Sequence, residues 1–139
     1  MQHSQHKKTL GLSFEYFSRF AVLWREGINL VLRSKSKYHI DMKVETTGEE
    51  KWRFTGIYGE AQTEEKYKTW DLLGRLHSEM TNHMAWLCAG DFNEILYSYE
   101  KEGGAPRSQG CMDCFRGVLE VCELQDLGFT GDVFTWRNK

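Results

Sequence analysis

The most informative part of the sequence is the segment Ala85-Trp86-Leu87-Cys88-Ala89, which is followed directly by Gly90-Asp91-Phe92-Asn93-Glu94. The first five residues form a continuous apolar run, which is typical of a strand buried on both faces. Gly90 and Asp91 end the run, so Asp91 and Asn93 are expected at a sheet edge, where α/β proteins commonly place ligands. An aspartate there can take a proton from an attacking water, and an amide can bind a phosphate oxygen. The alternative interpretation is a helix cap or turn after the strand, where Asp and Asn are also favoured.

Strand-like patterns precede this run. They cover residues 20–24, 28–32, 38–44 and 52–58. The last two alternate between apolar and polar residues, as half-buried strands do. Arg25-Glu26-Gly27 predicts a tight turn, because glycine tolerates the positive φ that such turns require. The short connections predict that the four strands form an antiparallel meander.

Two amphipathic helices are predicted on either side of the apolar run. Thr63 is a candidate N-cap for the first, and Glu64 and Glu65 complement the positive end of its dipole. Its apolar stripe consists of Tyr67, Trp70, Leu73, Leu76 and Met80. The second helix is predicted over residues 108–123, with the stripe Met112, Phe115, Leu119 and Cys122. A short strand with turns is expected over residues 128–136, and the whole order predicts a layered, mixed α/β domain.

Composition limits the remaining possibilities. The 139 residues are 40% hydrophobic and 14% aromatic, which predicts one packed domain. Residues 1–18 lack clean periodicity and are expected to be poorly ordered or foreign to the fold, leaving residues 19–139 as the domain. The net charge is −2 and the pI about 6.2. Because binding by phosphate neutralisation calls for a basic excess, any contact with DNA is expected to be local and geometric.

No apolar stretch is long enough to cross a bilayer, and the polar N-terminus lacks the apolar middle of a signal peptide. These features predict an intracellular protein, nuclear or cytoplasmic, without a membrane partner. Cys111-x-x-Cys114 is a lone pair, whereas a structural zinc site usually has four ligands. A metal or redox role is therefore the disfavoured alternative, and Cys114 and Cys122 are interpreted as small apolar or surface residues in a reducing compartment.

The segment Ala85–Ile95 resembles the Gly-Asp-Phe-Asn signature of the endonuclease/exonuclease/phosphatase superfamily, which includes apurinic endonucleases and the DNase I type. Its surroundings are more similar still to the endonuclease domains of plant LINE-type retrotransposons. The segments that carry this likeness, in the expected order, are Leu23-Trp24 with Gly27, His39-Ile40-Asp41, Trp52–Gly59, Trp70–Leu73, Glu100–Gly104 and Phe134-Thr135-Trp136. Each fragment is short, but their order and spacing cover most of the chain from about residue 20.

The resemblance implies roles for three residues. Asp91 would orient and deprotonate the attacking water, Asn93 would hold the scissile phosphate, and Tyr58 would stabilise charge on the phosphoryl oxygens. Such roles suit an in-line displacement, in which positioning and charge stabilisation do most of the catalysis. Without the resemblance, Tyr58 is a half-buried strand aromatic. The family commonly has proline and asparagine soon after this tyrosine, where this chain has Gly59-Glu60-Ala61.

The resemblance also implies a fold and a cofactor. The fold would be part of a DNase I-like four-layer sandwich with mostly antiparallel strands and two amphipathic helices, and the cofactor of the complete domain would be Mg²⁺. The family's metal-binding glutamate and its late Asp and His residues have no match here. His77 and His83 are expected to face solvent, and Glu94, Glu100 and Glu102 to be solvated in loops. The chain is therefore expected to be a central fragment that does not cut DNA alone.

Two other functions use the same scaffold. One is a non-catalytic nucleic-acid-binding or interaction module, although the acidic pI disfavours binding to nucleic acid. The other is a phosphomonoesterase or phosphoinositide phosphatase of the same superfamily. The retrotransposon-like segments outside the Asp91 motif argue against this second alternative.

Overall fold

The computed structural model of the protein describes residues 7–9, 12–80 and 83–134. These residues form a mixed α+β protein with seven strands and two α-helices. They divide into two compact units. The first takes its described residues from Met1–Gly59 and Met80–Asp91, and the second from Glu60–Glu79 and Phe92–Lys139. All seven strands lie in the first unit and both helices in the second.

The first unit contains two sheets. The smaller is antiparallel and consists of β1 (Lys7–Thr9), β2 (Leu12–Phe17) and β3 (Phe20–Arg25), in that order. The larger has the order β4 (Ile28–Lys35), β5 (His39–Thr46), β6 (Trp52–Tyr58) and β7 (Trp86–Asp91). Its first three strands are antiparallel neighbours, and β7 runs parallel to β6.

The predicted strands are present, but they do not form one meander. The turn before β4 is confirmed, with Gly27 at a φ of +90°. The strands that it joins nevertheless belong to different sheets, because β3 pairs with β2 rather than with β4. The reason lies in the core, where Phe20 and Val22 of β3 pack on Ile40 and Met42 of β5. Burying this apolar stripe stacks β3 against the larger sheet.

The N-terminal segment contributes strands that the sequence pattern did not indicate. β2 pairs with β3 along its whole length, from Leu12 opposite Arg25 to Phe17 opposite Phe20, and β1 extends the sheet further. Both strands fall within residues 1–18, which were expected to be poorly ordered or foreign. Whether this segment is foreign, and whether a domain boundary lies between residues 18 and 19, stays a prediction.

The expectation that the apolar run forms a strand buried on both faces is wrong. β7 is the edge strand of the larger sheet, and only alternate residues at its start are partly buried. Leu87 remains 36% exposed. β7 is hydrogen-bonded to a neighbour on one edge, and one of its faces is only partly covered. Its apolar residues are therefore not buried on both faces. Gly90 and Asp91 are the last two residues of this strand.

The second unit begins with α1 (Tyr67–Ser78), and here the predicted cap is wrong. Thr63 starts a one-turn 3₁₀ helix over Thr63–Glu65, and Lys66 is the N-cap of α1. The buried face of α1 also differs from the predicted stripe. It consists of Thr69, Leu72, Leu73 and Leu76. Tyr67 is 54% exposed, because it lies in the first turn, before the helix reaches its packing partner.

The second helix, α2 (Gln109–Val121), begins after the N-cap Ser108 as predicted. Met112, Phe115 and Cys122 are buried. Phe115 stacks on Trp70 of α1 with ring centroids 4.8 Å apart, so the two helices share one aromatic contact. No strand follows α2 among residues 122–134, and Trp136 of the predicted closing strand lies outside the described residues. Neither helix, nor any other in the described part of the chain, is long and apolar enough to span a membrane.

Candidate functional site

Tyr58 and Asp91, two of the three predicted site residues, end two neighbouring strands. The parallel register of β6 and β7 places the Cα atoms of Tyr58 and Asp91 opposite each other. Past the strands, the Gly59 amide donates a hydrogen bond of 2.7 Å to the Asp91 carbonyl oxygen. Both side chains are exposed, Tyr58 by 37%. The two residues therefore form an accessible pair at the carboxyl ends of parallel strands, which is called the strand-end pair below.

The backbone before Asp91 depends on a glycine. Gly90 has a φ of +137°, a region that residues with a side chain rarely adopt. A Cβ atom there would overlap the Ile57 carbonyl oxygen and would lie 3.0 Å from both the carbonyl carbon and the amide nitrogen of Ile57. Only glycine allows β7 to approach β6 this closely. Gly90 thus sets the position of Asp91 beside Tyr58.

Tyr58 itself is held by two contacts within the first unit. Its backbone amide donates a hydrogen bond of 2.9 Å to the carbonyl oxygen of Tyr38, just before β5. The guanidinium of Arg19 lies over the Tyr58 ring, 4.7 Å from its centroid. Stacking of this kind contributes about 0.5–1 kcal/mol at an exposed site. A cation therefore lies at the phenol ring that is predicted to contact phosphate.

A buried charged network ties β5, β6 and β7 together behind this edge. The Asp41 carboxylate accepts two hydrogen bonds of 2.8 Å from Arg53 and one of 2.7 Å from the Thr55 hydroxyl. The Trp86 indole N–H donates to the Thr55 hydroxyl at 2.8 Å, which extends the network to β7. Asp41, Arg53 and Thr55 are at most 1% exposed. Because a bidentate buried pair is geometrically demanding, the network fixes the register that brings Tyr58 and Asp91 side by side.

Asn93, the third predicted residue, belongs to the second unit. It has a φ of +52°, in the left-handed region that asparagine tolerates better than most residues. Its carbonyl oxygen accepts a hydrogen bond from the Lys66 ammonium group, which also donates to the Glu60 carbonyl oxygen at 3.4 Å. Lys66 is only 3% exposed. The turn at Asn93 is therefore held by a buried lysine at the start of α1.

Glu94 is not a solvated loop residue, and that expectation is wrong. Its side chain is fully buried and lies 3.4 Å from the Lys66 ammonium and 3.1 Å from Arg107 Nε. One of its oxygens also accepts a hydrogen bond of 3.0 Å from the Ile95 amide. The carboxylate is buried because two cations from distant parts of the second unit neutralise it. Glu100 accepts a hydrogen bond of 2.8 Å from the Leu96 amide, whereas Glu102 is exposed as predicted.

Sequence reasoning missed Arg19 and Lys66. Arg19 follows directly on Ser18, which has a positive φ, but this angle is known only from the structure, so no sequence signal marked Arg19. Lys66 gave no local signal, because its partners are 6 to 28 residues away along the chain. His83 is exposed as predicted, but His77 is half-buried. Phe134 is half-buried as well, and the rest of its segment lies outside the described residues.

A metal site does not assemble from the described residues. In the ranges 7–9, 12–80 and 83–134, no three His, Cys, Asp or Glu side chains are grouped so that they could hold an ion. Mg²⁺ is usually anchored by one or two carboxylates together with substrate oxygens, and Asp91 offers one. Within the strand-end pair, Asp91 is therefore the residue that could help to hold the cofactor that the resemblance implies. None of the four cysteines, all of which lie in the described residues, forms a disulfide bond, and burial raises the pKa of the Cys122 thiol.

Chemically, the strand-end pair combines an acceptor of protons with a donor of hydrogen bonds. An exposed carboxylate can orient a water molecule, and a phenol can donate to an anionic oxygen. The Arg19 guanidinium adds a positive charge at the same ring. No protein-family model and no curated protein sequence matches this chain. The assignment of a function therefore depends on the site residues themselves.

Proposed function

We propose that this chain is part of a phosphodiesterase domain of the endonuclease/exonuclease/phosphatase superfamily, of the LINE retrotransposon type, whose complete form nicks DNA with Mg²⁺. The observation that supports the proposal is the strand-end pair, because Tyr58 and Asp91 are opposite each other in register at the ends of parallel strands. The proposed fold is the corresponding part of a DNase I-like sandwich. Two stacked sheets in the first unit and two packed helices in the second are compatible with it.

In this proposal, the side chains act on a phosphodiester as follows. The Asp91 carboxylate orients a water molecule and takes its proton as the water oxygen bonds to phosphorus. The P–O bond opposite the attacking water breaks, and the leaving nucleotide oxygen takes up a proton from solvent. The Tyr58 hydroxyl donates a hydrogen bond to a non-bridging phosphoryl oxygen, where negative charge builds up. The Asn93 amide holds the scissile phosphate. Each group contributes by position and charge rather than by forming a covalent bond with the substrate.

The chain alone is expected not to cut DNA, because the metal-binding glutamate and the late Asp and His residues of the resembled family have no match in it. The test is nicking of supercoiled plasmid in the presence of Mg²⁺, comparing the protein, its Asp91→Ala variant and an EDTA control. We expect no nicking above the Asp91→Ala background, with circular dichroism showing a folded protein. Nicking that is lost both with EDTA and with Asp91→Ala would overturn the expected inactivity and would support the assigned base.

A second measurement tests the placement of the site even without turnover. A short DNA duplex with a phosphorothioate linkage is titrated into isotopically labelled protein and followed by NMR. We expect the largest shifts at residues 58, 59, 91 and 93. Shifts confined to other residues would contradict the proposed site. Release of inorganic phosphate from a phosphomonoester, lost with Asp91→Ala, would instead favour the phosphatase alternative.

A further inference from the structure

Two cations rest on two tyrosine rings in the first unit. Arg19 lies over the Tyr58 ring, and the Lys37 ammonium lies over the Tyr38 ring, each 4.7 Å from the ring centroid. Arg19 and Lys37 are both exposed. We refer to these four residues as the cation–tyrosine patch. The patch is unexpected in a chain with a formal net charge of −2.

The topology brings both halves of the patch to the strand end that carries Asp91. Arg19 directly precedes β3, and Lys37 lies in the loop between β4 and β5. The Tyr58 amide donates to the Tyr38 carbonyl oxygen at 2.9 Å, so the backbones that carry the two rings are in direct contact. Tyr58 in turn is opposite Asp91 in the sheet. Positive charge is thus concentrated next to the exposed strand-end pair.

The geometry at Arg19 suits an anionic ligand. The guanidinium of Arg19 lies over the Tyr58 ring, and the Arg19 side chain is exposed, so solvent and ligands can reach it. A guanidinium carries its N–H donors in one plane. That planar set of donors matches the two oxygens of a phosphate. Among the residues whose side chains the structure describes, no carboxylate forms an ion pair with Arg19. The ring restricts the arginine side chain, so less side-chain entropy is lost when it binds.

We propose that Arg19, stacked on Tyr58, binds a backbone phosphate of duplex DNA, and that Lys37 on Tyr38 binds a second one. The choice of DNA rests on the proposed function, whereas the affinity of the patch for phosphodiesters does not. The contact carries no sequence information, because phosphates position a protein without specifying bases. An otherwise acidic chain would in this way hold a polyanion through two local contacts at the strand end.

The test is the salt dependence of binding to a fluorescein-labelled 20-base-pair duplex, measured by anisotropy without Mg²⁺. Arg19→Ala is expected to weaken binding about tenfold at 50 mM salt and to reduce the slope of log K against log salt by about one. Lys37→Ala is expected to reduce the slope similarly. The matched control is Arg25→Ala, an exposed arginine at the other end of β3, which should change neither quantity.

Equal losses for Arg19→Ala and Arg25→Ala would mean that overall charge rather than the patch drives binding, and would overturn the proposal. Absence of binding by the unmodified protein at 50 mM salt would overturn it as well. Circular dichroism should be unchanged in all three variants, since the three side chains are exposed. The outcome of this binding test is independent of the outcome of the nicking test. If Asp91 proves to have no catalytic role, weaker DNA binding by Arg19→Ala and Lys37→Ala, but not by Arg25→Ala, would still establish the patch.

Discussion

Gly90 combines a φ of +137° with a position where a Cβ atom would overlap the Ile57 carbonyl oxygen. The glycine of the Gly-Asp pair is therefore a packing requirement, independent of any catalytic role of its neighbour. The aspartate can reach its place opposite Tyr58 only if the backbone before it comes this close to β6. A residue with no side chain thus determines where the proposed base lies.

We predict that Gly90→Ala destabilises the protein by about 3 kcal/mol, because the new methyl group meets backbone and the φ is unfavourable. Urea denaturation followed by tryptophan fluorescence measures the change. The matched control is Gly74→Ala in α1, where a Cβ atom would have no neighbour within 4 Å. That change should stabilise the protein by about 0.5–1 kcal/mol, as alanine does in a helix interior. Similar effects at both positions would contradict the proposed close approach.

Among the strands, the larger sheet is held together by side chains that cross from one strand to the next. Besides the Asp41 network, Glu45 of β5 accepts a hydrogen bond of 2.8 Å from Asn29 of β4. It also lies 2.8 Å from the Lys43 ammonium and 3.1 Å from that of Lys51. These contacts lower the pKa of Glu45 from 4.5 to about 2, and the hydrogen bond with Lys43 is the largest cause.

This lowered pKa predicts a pH dependence with a definite sign. The unfolded carboxylate takes up its proton near pH 4.5 and the folded one only near pH 2. The contribution of Glu45 to stability is therefore complete above pH 4.5 and is lost as the pH falls towards 2. An NMR titration of the side-chain carboxyl should have its midpoint near 2. Lys43→Met should move the midpoint towards 4.5 by more than Lys51→Met does. A midpoint that is the same in Lys43→Met as in the unmodified protein would show that Lys43 does not lower the pKa of Glu45.

Over the whole second unit, buried charges connect segments that are far apart in sequence. Lys66 at the start of α1 meets Glu94 after β7, and Glu94 meets Arg107 before α2. Removing one partner of a buried pair is costly, because the remaining charge cannot be solvated. These three residues are thus expected to control the stability of the unit and, through the Asn93 carbonyl, the turn that carries the predicted amide.

We predict that Lys66→Met destabilises the second unit by about 3–5 kcal/mol. Hydrogen exchange of α1 peptides, read by mass spectrometry, measures the loss. The control is Lys68→Met, an exposed lysine two residues away that pairs with Glu65 and should cost less than about 1 kcal/mol. The double variant Lys66→Met/Glu94→Leu should recover part of the stability, because the buried Glu94 carboxylate is removed together with the Lys66 ammonium, and Arg107, whose side chain is 34% exposed, remains within reach of solvent. If the double variant is no more stable than Lys66→Met, the Glu94 carboxylate left without Lys66 is not the cause of the loss.

Local patterns in the sequence predict the positions of most elements, with the exception of β1 and β2. The strands from β3 to β6, the turn at Gly27, the span of α2 and the exposed position of Asp91 follow from periodicity and turn chemistry within a few residues. The resemblance implied roles for Tyr58 and Asp91 at one catalytic site, and the parallel register that places them opposite each other is compatible with this. Such features depend on neighbours along the chain, which a sequence displays directly.

Which elements pair and which polar groups are buried depends on the tertiary fold. β3 belongs to the smaller sheet and does not pair with β4, because its apolar stripe packs on Ile40 and Met42. β7 is an edge strand despite its apolar run. Glu94 is buried because Lys66 and Arg107 neutralise it, and Arg19 reaches Tyr58 across 39 positions of the chain. These outcomes depend on partners that are distant in sequence. Contacts between such partners form, and contribute to stability, only when the chain folds.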